Sequence, residues 1–184
     1  MSAMSAMSAD ARDRILRVAD LIDRPGVSRR VDLAVPASAD LELDMATLEG
    51  DIRLTGVLES VVDGILLRGT LVAELQMACA RCLADLEQVV AADVVELFST
   101  PSEDSDDIDP GYEIVDTTID LDTLTRDALV PAVPYRPLCA EDCKGLCVQC
   151  GTNRNETECS CEDSIVDARW AALEKLQLGD CDTP

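Results

Sequence analysis

Six cysteines lie within the 23 residues from Cys139 to Cys161, CAEDCKGLCVQCGTNRNETECSC, and this crowding constrains the chain more than any other feature. Three more cysteines lie elsewhere: Cys79 and Cys82 in the run CARC, and Cys181 near the end. Clustered thiols form disulfides, bind metal or do redox chemistry, and the compartment decides among these. No apolar run is long enough to span a bilayer. The opening MSAMSAMSA has no apolar core and is followed by the charged stretch Asp10 to Arg17, unlike a signal peptide. The expected location is therefore the cytoplasm, where disulfides are rare and metal or redox roles are favoured.

Cys147-Val-Gln-Cys150-Gly151 has the shape of a zinc knuckle. Two cysteines separated by two residues grip one ion, and the following glycine lets backbone N–H groups turn toward the sulfurs. Cys159 and Cys161 follow in CSC and offer two more thiolates, which closes a tetrahedral site of the structural kind. Histidine is absent, so any metal site here is built from thiolates or carboxylates. Cys79 and Cys82 have no partners nearby in sequence, but Cys139 and Cys143 can complete their set. That yields two four-cysteine sites, Cys79/Cys82/Cys139/Cys143 and Cys147/Cys150/Cys159/Cys161. A second partition is open at this stage: a local site from Cys139, Cys143, Cys147 and Cys150, with Cys79 and Cys82 joining Cys159 and Cys161. The expected cofactor is Zn2+, one or two ions.

Other uses of these thiols fare worse. Cys143-x3-Cys147-x2-Cys150 matches the spacing that radical enzymes use for an iron–sulfur cluster, but the chain has no large α/β barrel to go with it. No βαβ pattern surrounds Cys79-x-x-Cys82, as a thioredoxin-like pair would need. Cys181 reads as a surface thiol. Without histidine, Ser-His-Asp and Cys-His catalysis are excluded, and no other catalytic set assembles, so the chain is expected not to be an enzyme and to have no small-molecule substrate.

The net charge is −22, from 37 acidic and 15 basic residues. Such an excess repels phosphate backbones, so direct RNA contact is open but disfavoured, and a basic protein partner fits better. Arg81, inside CARC, and Lys144, between Cys143 and Cys147, are the candidate partner-binding cations. An ion pair with nearby acids is the alternative role for Arg81.

Aromatic residues make up only 2 % of the chain, so its core must be aliphatic. Residues 1–11 repeat Met-Ser-Ala and are expected to be disordered. Ile15, Val18, Leu21 and Ile22 have helical spacing, before the turn signal Pro25-Gly26. Val31, Leu33 and Val35 alternate as in a strand. Residues 41–98 carry the strongest β signal: a strand through Ile52, Leu54 and Val57–Val62, a type I′ turn at Asp63-Gly64, and a return strand to Met77. CARC occupies the next turn, and 83–98 forms a third long strand, with a helix as its alternative. Residues 99–111, STPSEDSDDIDPG, read as an acidic loop. Tyr112–Leu121 reads as a strand. A helix follows over 121–130, ended by Pro131 and Pro134. Residues 166–178, with Trp170, Leu173 and Leu176 on one face, form a short amphipathic helix, and 179–184 a disordered tail.

Taken together, CARCL, ELF after a β stretch, VPYRPLC, DCKGLCxxCGxN, a late CxC and DARWAAL resemble the YceD family, the large ribosomal RNA subunit accumulation proteins, from about Ala11 to Leu178. The resemblance is to the subgroup with a cysteine-rich tail. It implies a role in accumulation or maturation of large-subunit ribosomal RNA, without enzymatic activity. It also makes a basic ribosomal protein, or the assembling large subunit, the expected partner. By position it extends to Cys79, Arg81 and Cys82, and to Cys139, Cys143, Lys144, Gly145, Cys147, Cys150, Gly151, Cys159 and Cys161. Val148 and Ala168 stand where related sequences usually have proline; neither change removes a ligand.

The expected fold class is α+β: a curved antiparallel sheet with a few helices and a zinc-clasped C-terminal module. Its divisions are a disordered 1–11, a β-rich core over 12–138 with the acidic loop 99–111, the metal module and terminal helix over 139–178, and the tail 179–184. The leading function is a non-enzymatic ribosome-biogenesis factor with no membrane association. A thiol- or zinc-based redox sensor is the alternative. Elemental analysis tests the metal reading: two zinc ions per chain are expected where two four-cysteine sites fill, one where only the local site does, and none would overturn metal binding.

Overall fold

The computed structural model describes residues 14–38, 41–100, 112–161 and 169. Its strands are β1 (Ile15–Arg17), β2 (Ser28–Val35), β3 (Ala46–Val61), β4 (Gly64–Ala78), β5 (Asp85–Ser99), β6 (Tyr112–Val115) and β7 (Thr118–Asp120), followed by helix α1 (Leu121–Ala132). They form one seven-stranded sheet in the order β1-β7-β6-β5-β4-β3-β2.

The long strands β3, β4 and β5 follow from period-2 alternation, which puts every second side chain on the same face. In β4, Ile65, Leu67, Leu71, Ala73, Leu75 and Met77 are buried, while Arg68, Glu74 and Gln76 are exposed. Their inward partners include Leu54 and Leu58 of β3 and Val90, Val94 and Phe98 of β5. The helical alternative for 83–98 is overturned, because Asp85–Phe98 pair residue by residue with β4 and bury Val90, Val94 and Phe98 on the inner face. α1 covers the inner face with Leu121, Leu124 and Leu129, all buried. Asp120 caps it, its carboxylate accepting from the Asp122 N–H at 2.8 Å. Two of the chain's few aromatic rings, Phe98 and Tyr112, meet at 5.2 Å where β5 joins β6.

The curvature has a backbone cause. Gly56 of β3 and Gly69 of β4 are directly paired on the inner face. A Cβ on Gly56 would lie 2.4 Å from the Arg68 carbonyl oxygen, and one on Gly69 would lie 2.4 Å from that of Thr55. No larger residue fits while the strands stay this close. A bulge adds a second bend where the β3–β4 register shifts between Glu49 and Arg53.

Several expectations need correction. The sheet is mixed, since β5 and β6 run parallel, with Phe98 beside Tyr112 and Ser99 beside Glu113. The chain returns beside Phe98 after residues 100–111 and continues in the direction of β5 instead of reversing. α1 is the one helix among the described residues, so α+β holds only loosely for a chain made mostly of strands. No helix forms at 15–22. Ile15–Arg17 pairs with β7, and the chain then turns, with Leu21 N–H donating to Val18 O at 2.9 Å and Asp23 at φ 55°. The segment before Pro25 is too short to offset helix nucleation, and Val18 and Leu21 reach the core from the turn.

The β3–β4 hairpin lies where expected, but its loop residues are Val62 and Asp63, with Gly64 already paired to Val61. The turn with both central residues at positive φ is at Asp116 (49°) and Thr117 (64°). It splits the expected single strand 112–121 into β6 and β7. Folding back lets Ile114 and Ile119 pair and bury together. α1 continues past its expected end. Pro131 is tolerated in the last turn, and Val133, extended ahead of Pro134, ends the helix. The expected helix at 166–178 lies outside the described residues apart from position 169, and the two terminal segments lie outside them entirely.

Gly69→Ala should lower stability by roughly 1–3 kcal/mol through backbone overpacking. The expected readout is a lower urea midpoint with an unchanged slope.

Candidate metal centre

The β4–β5 connection presents the first two thiols. Cys79 N–H donates to Ala84 O at 2.8 Å and Leu83 N–H donates to Cys79 O at 2.9 Å, which closes a tight turn around CARC with Leu83 at φ 58°. The C-terminal segment then docks on that turn by backbone bonds: Ala80 N–H to Pro137 O at 2.8 Å and Leu146 N–H to Arg81 O at 3.0 Å. Gly145 makes the approach possible. Its φ is +71°, and a Cβ there would lie 2.9 Å from the Arg81 carbonyl oxygen.

This docking gathers Cys79, Cys82, Cys139 and Cys143 so that all four sulfurs lie within 4.8 Å of one another. The Sγ–Sγ separation is 3.8 Å for Cys79 and Cys143, and 3.5 Å for Cys82 and Cys139. A tetrahedral ion with metal–sulfur bonds of about 2.3 Å requires sulfurs about 3.8 Å apart, so the quartet has the size of a zinc-type site. Cys79, Cys82 and Cys143 are buried against Ala84, Leu86 and Leu146, while Cys139 is exposed.

The second quartet is Cys147, Cys150, Cys159 and Cys161, also within 4.8 Å. Gly151 N–H donates to Cys147 O and Cys147 N–H to Thr152 O, both at 2.8 Å, so the knuckle turn forms as its sequence requires. Leu146 and Asn153 form a β-bridge beneath it. Only Cys147 is buried here; Cys150 is exposed and the CSC pair is intermediate. All eight cysteines are free thiols. Of the two partitions open from sequence, the structure forms this one. The all-local set from Cys139 to Cys150 does not form, because the backbone bonds to Arg81 place Cys143 with CARC and leave Cys147 on the far side of Gly145.

The electrostatics fit thiolate ligands. The N–H groups of Cys139, Cys82 and Arg81 point at the Cys79 sulfur and lower that thiol to about 6. The sulfur of Cys82, then those of Cys143 and Cys79, push Cys139 up to about 12. In the second quartet, the Thr152 hydroxyl and N–H lower Cys150 to about 6, while the Cys150 sulfur and burial raise Cys161 to about 12. In each quartet one thiol is therefore acidified by nearby N–H or hydroxyl donors, while another is held protonated by the sulfurs crowded around it. Both clusters could hold a metal ion, whose positive charge would relieve that repulsion.

Arg81 takes a structural role not expected of it. Its side chain is exposed, yet Nη1 donates to Cys143 O at 2.8 Å and Glu141 O at 3.4 Å, so it binds carbonyls and not acid side chains. Lys144 is exposed, and its N–H donates to Asn155 Oδ1 at 2.7 Å. Asn155 escaped sequence reasoning, although its Nδ2 lies 3.3 Å from the Cys143 sulfur. The short polar run GTNRNET between the ligand pairs was its only signal. Cys181 lies outside the described residues.

A strongly curved sheet whose β4–β5 turn and following segment build two thiol quartets defines a class of cysteine-clasped β proteins. The chain belongs to the YceD family: residues 67–177 match the model of the large ribosomal RNA subunit accumulation protein YceD. It is 34% identical over 175 residues to an uncharacterized protein of Mycobacterium tuberculosis, covering 90% of this chain and 82% of that one. Identity to an uncharacterized protein of Mycobacterium leprae is 32% over 162 residues, or 85% and 74% of the two chains. Identity to the uncharacterized protein YlbN of Bacillus subtilis is 29% over 108 residues, or 58% and 63%. No solved structure matches significantly. Among the described residues, no helix is long and apolar enough to cross a membrane.

Metal uptake should release protons, because Cys139 and Cys161 enter the site protonated at neutral pH. Affinity should fall as pH falls, most steeply below about 6, where Cys79 and Cys150 also gain protons. Chelator competition across pH checks the sign. Cys139→Ser or Cys161→Ser should each reduce bound metal from two ions per chain to one.

Proposed function

We propose that this protein is a non-enzymatic factor of the cytoplasm that supports accumulation and maturation of large-subunit ribosomal RNA, by binding a basic ribosomal protein or the assembling large subunit, with Zn2+ in both quartets. The observation that carries this reading is the family match over residues 67–177, which ties the chain to large-subunit RNA accumulation. The redox-sensor alternative gains nothing from that match.

The outer face of the sheet supports a cationic protein partner. The net charge of −22 steers basic molecules toward the chain. On β3 and β4, Glu49 and Glu74 are directly opposite and both exposed. Like charges in that position are destabilising, so a lysine or arginine from a partner would relieve a built-in repulsion. Glu87 of β5 lies beside Gln76 of β4 at the same end of this face. Val89, Val95 and Leu97 of β5 add exposed apolar area, at 63%, 65% and 42% exposure. An acidic patch beside aliphatic contacts suits a basic segment with apolar residues between its charges.

Depletion should lower large-subunit RNA relative to small-subunit RNA, and the protein should sediment with immature large-subunit particles. Unchanged subunit ratios on depletion would refute the function. Glu49→Lys combined with Glu74→Lys should weaken particle association by roughly ten-fold, since desolvated interfacial charge pairs carry energies of that order, while metal content stays at the wild-type level.

A further inference from the structure

We propose that the two quartets bind metal as one coupled unit, with Asn155 as the positioning residue through which closure of the second quartet completes the environment of the first. This rests on reading both quartets as metal sites.

Asn155 belongs to the loop between Cys150 and Cys159, ligand positions of the second quartet, yet its side chain serves the first. Its Oδ1 accepts from the Lys144 N–H at 2.7 Å, and its Nδ2 donates to Asn153 Oδ1 at 2.8 Å and to Cys143 Sγ at 3.3 Å. The backbone donor on Oδ1 fixes which end of the amide faces the sulfur. Asn153 is held in turn: its Oδ1 also accepts from the Asn155 N–H at 3.1 Å, and its own Nδ2 donates to Glu156 at 2.8 Å. Arg154 N–H donates to Gly145 O at 2.9 Å, which pins the loop to the residues joining the quartets.

This loop has no apolar anchor. Residues 154–158 are all exposed. Its ends are Cys150 and Cys159, and a closed second quartet ties both of them together, beyond what the backbone bonds to Gly145 and Cys147 hold. With that quartet open, ordering the loop costs conformational entropy, and the donor to Cys143 is delivered less often. An N–H donor on a ligand sulfur stabilises the thiolate and orients it, and losing such a partner costs roughly ten- to a hundred-fold in metal affinity. The linkage is reciprocal: a metal in the first quartet holds Cys143 and Asn155 in place, and so favours the loop geometry that the second needs.

Cadmium-113 added to the metal-free full chain is a suitable probe, because the quartets should give separate resonances, assigned by the one lost in Cys159→Ser/Cys161→Ser. In the wild type, both resonances should rise together at substoichiometric metal. In Asn155→Ala they should fill one after the other, with the Cys79/Cys82/Cys139/Cys143 resonance lagging by roughly ten-fold or more in affinity. Independent filling in the wild type would overturn the coupling, even if the variant failed to fold. Joint filling that persists unchanged in Asn155→Ala would overturn the role of Asn155. No thiolate-bound cadmium signal at all would refute the metal reading, which keeps that failure distinct.

Discussion

The contact on which the architecture depends is the docking of the C-terminal segment on the CARC turn. It brings Cys139 to within 3.5 Å of Cys82 across 57 positions of sequence, and Cys143 to within 3.8 Å of Cys79 across 64. Closing loops of that length carries an entropic cost that grows slowly with their length. The backbone bonds from Ala80 and Leu146, and the positive φ that lets Gly145 approach Arg81, supply the geometry. A bound ion would supply the remaining free energy, and it would do so in the folded state only.

The sheet and the quartets solve one problem from two sides. With aromatics at 2 % of the chain, the core is aliphatic, and the curved sheet gathers it around Phe98 and the α1 leucines. Curvature is set where Gly56 meets Gly69 and at the β3 bulge, and the β4–β5 turn lies at the end of the two strands, covered by the C-terminal segment. The first quartet sits at that turn, packed on the small apolar cluster of Ala84, Leu86 and Leu146. The outer face of the sheet carries exposed cross-strand contacts such as Arg53–Asp32 and Thr70–Asp93, and the like-charged pair Glu49–Glu74 is tolerated there.

Much of this was legible from local pattern. Alternation in 46–61, 64–78 and 85–99 is long and regular, and those strands form where the period places them. C-x-x-C spacing and the glycine after Cys150 likewise specify a knuckle through short-range geometry alone. Reading failed where two local solutions were close in energy. The spacing of Val18 and Leu21 suits a helix or a strand followed by a turn, and pairing of Ile15–Arg17 with β7 decided for the second. Asp63-Gly64 looked like the tight turn, but Asp116-Thr117 adopts it, because burying Ile114 against Ile119 outweighs the strain of a β-branched residue at positive φ.

The sequence by itself determined the β-rich core, the aliphatic interior, the location of α1 and the presence of eight thiols at ligand spacing. These depend on periodicity, composition and near neighbours. Which thiols share a site, the parallel β5–β6 pair and the place of Asn155 beside Cys143 were decided only by the tertiary structure. Each depends on where distant segments meet: Cys139 and Cys143 could serve either partition by spacing, and the hydrogen bonds to Ala80 and Arg81 chose between them.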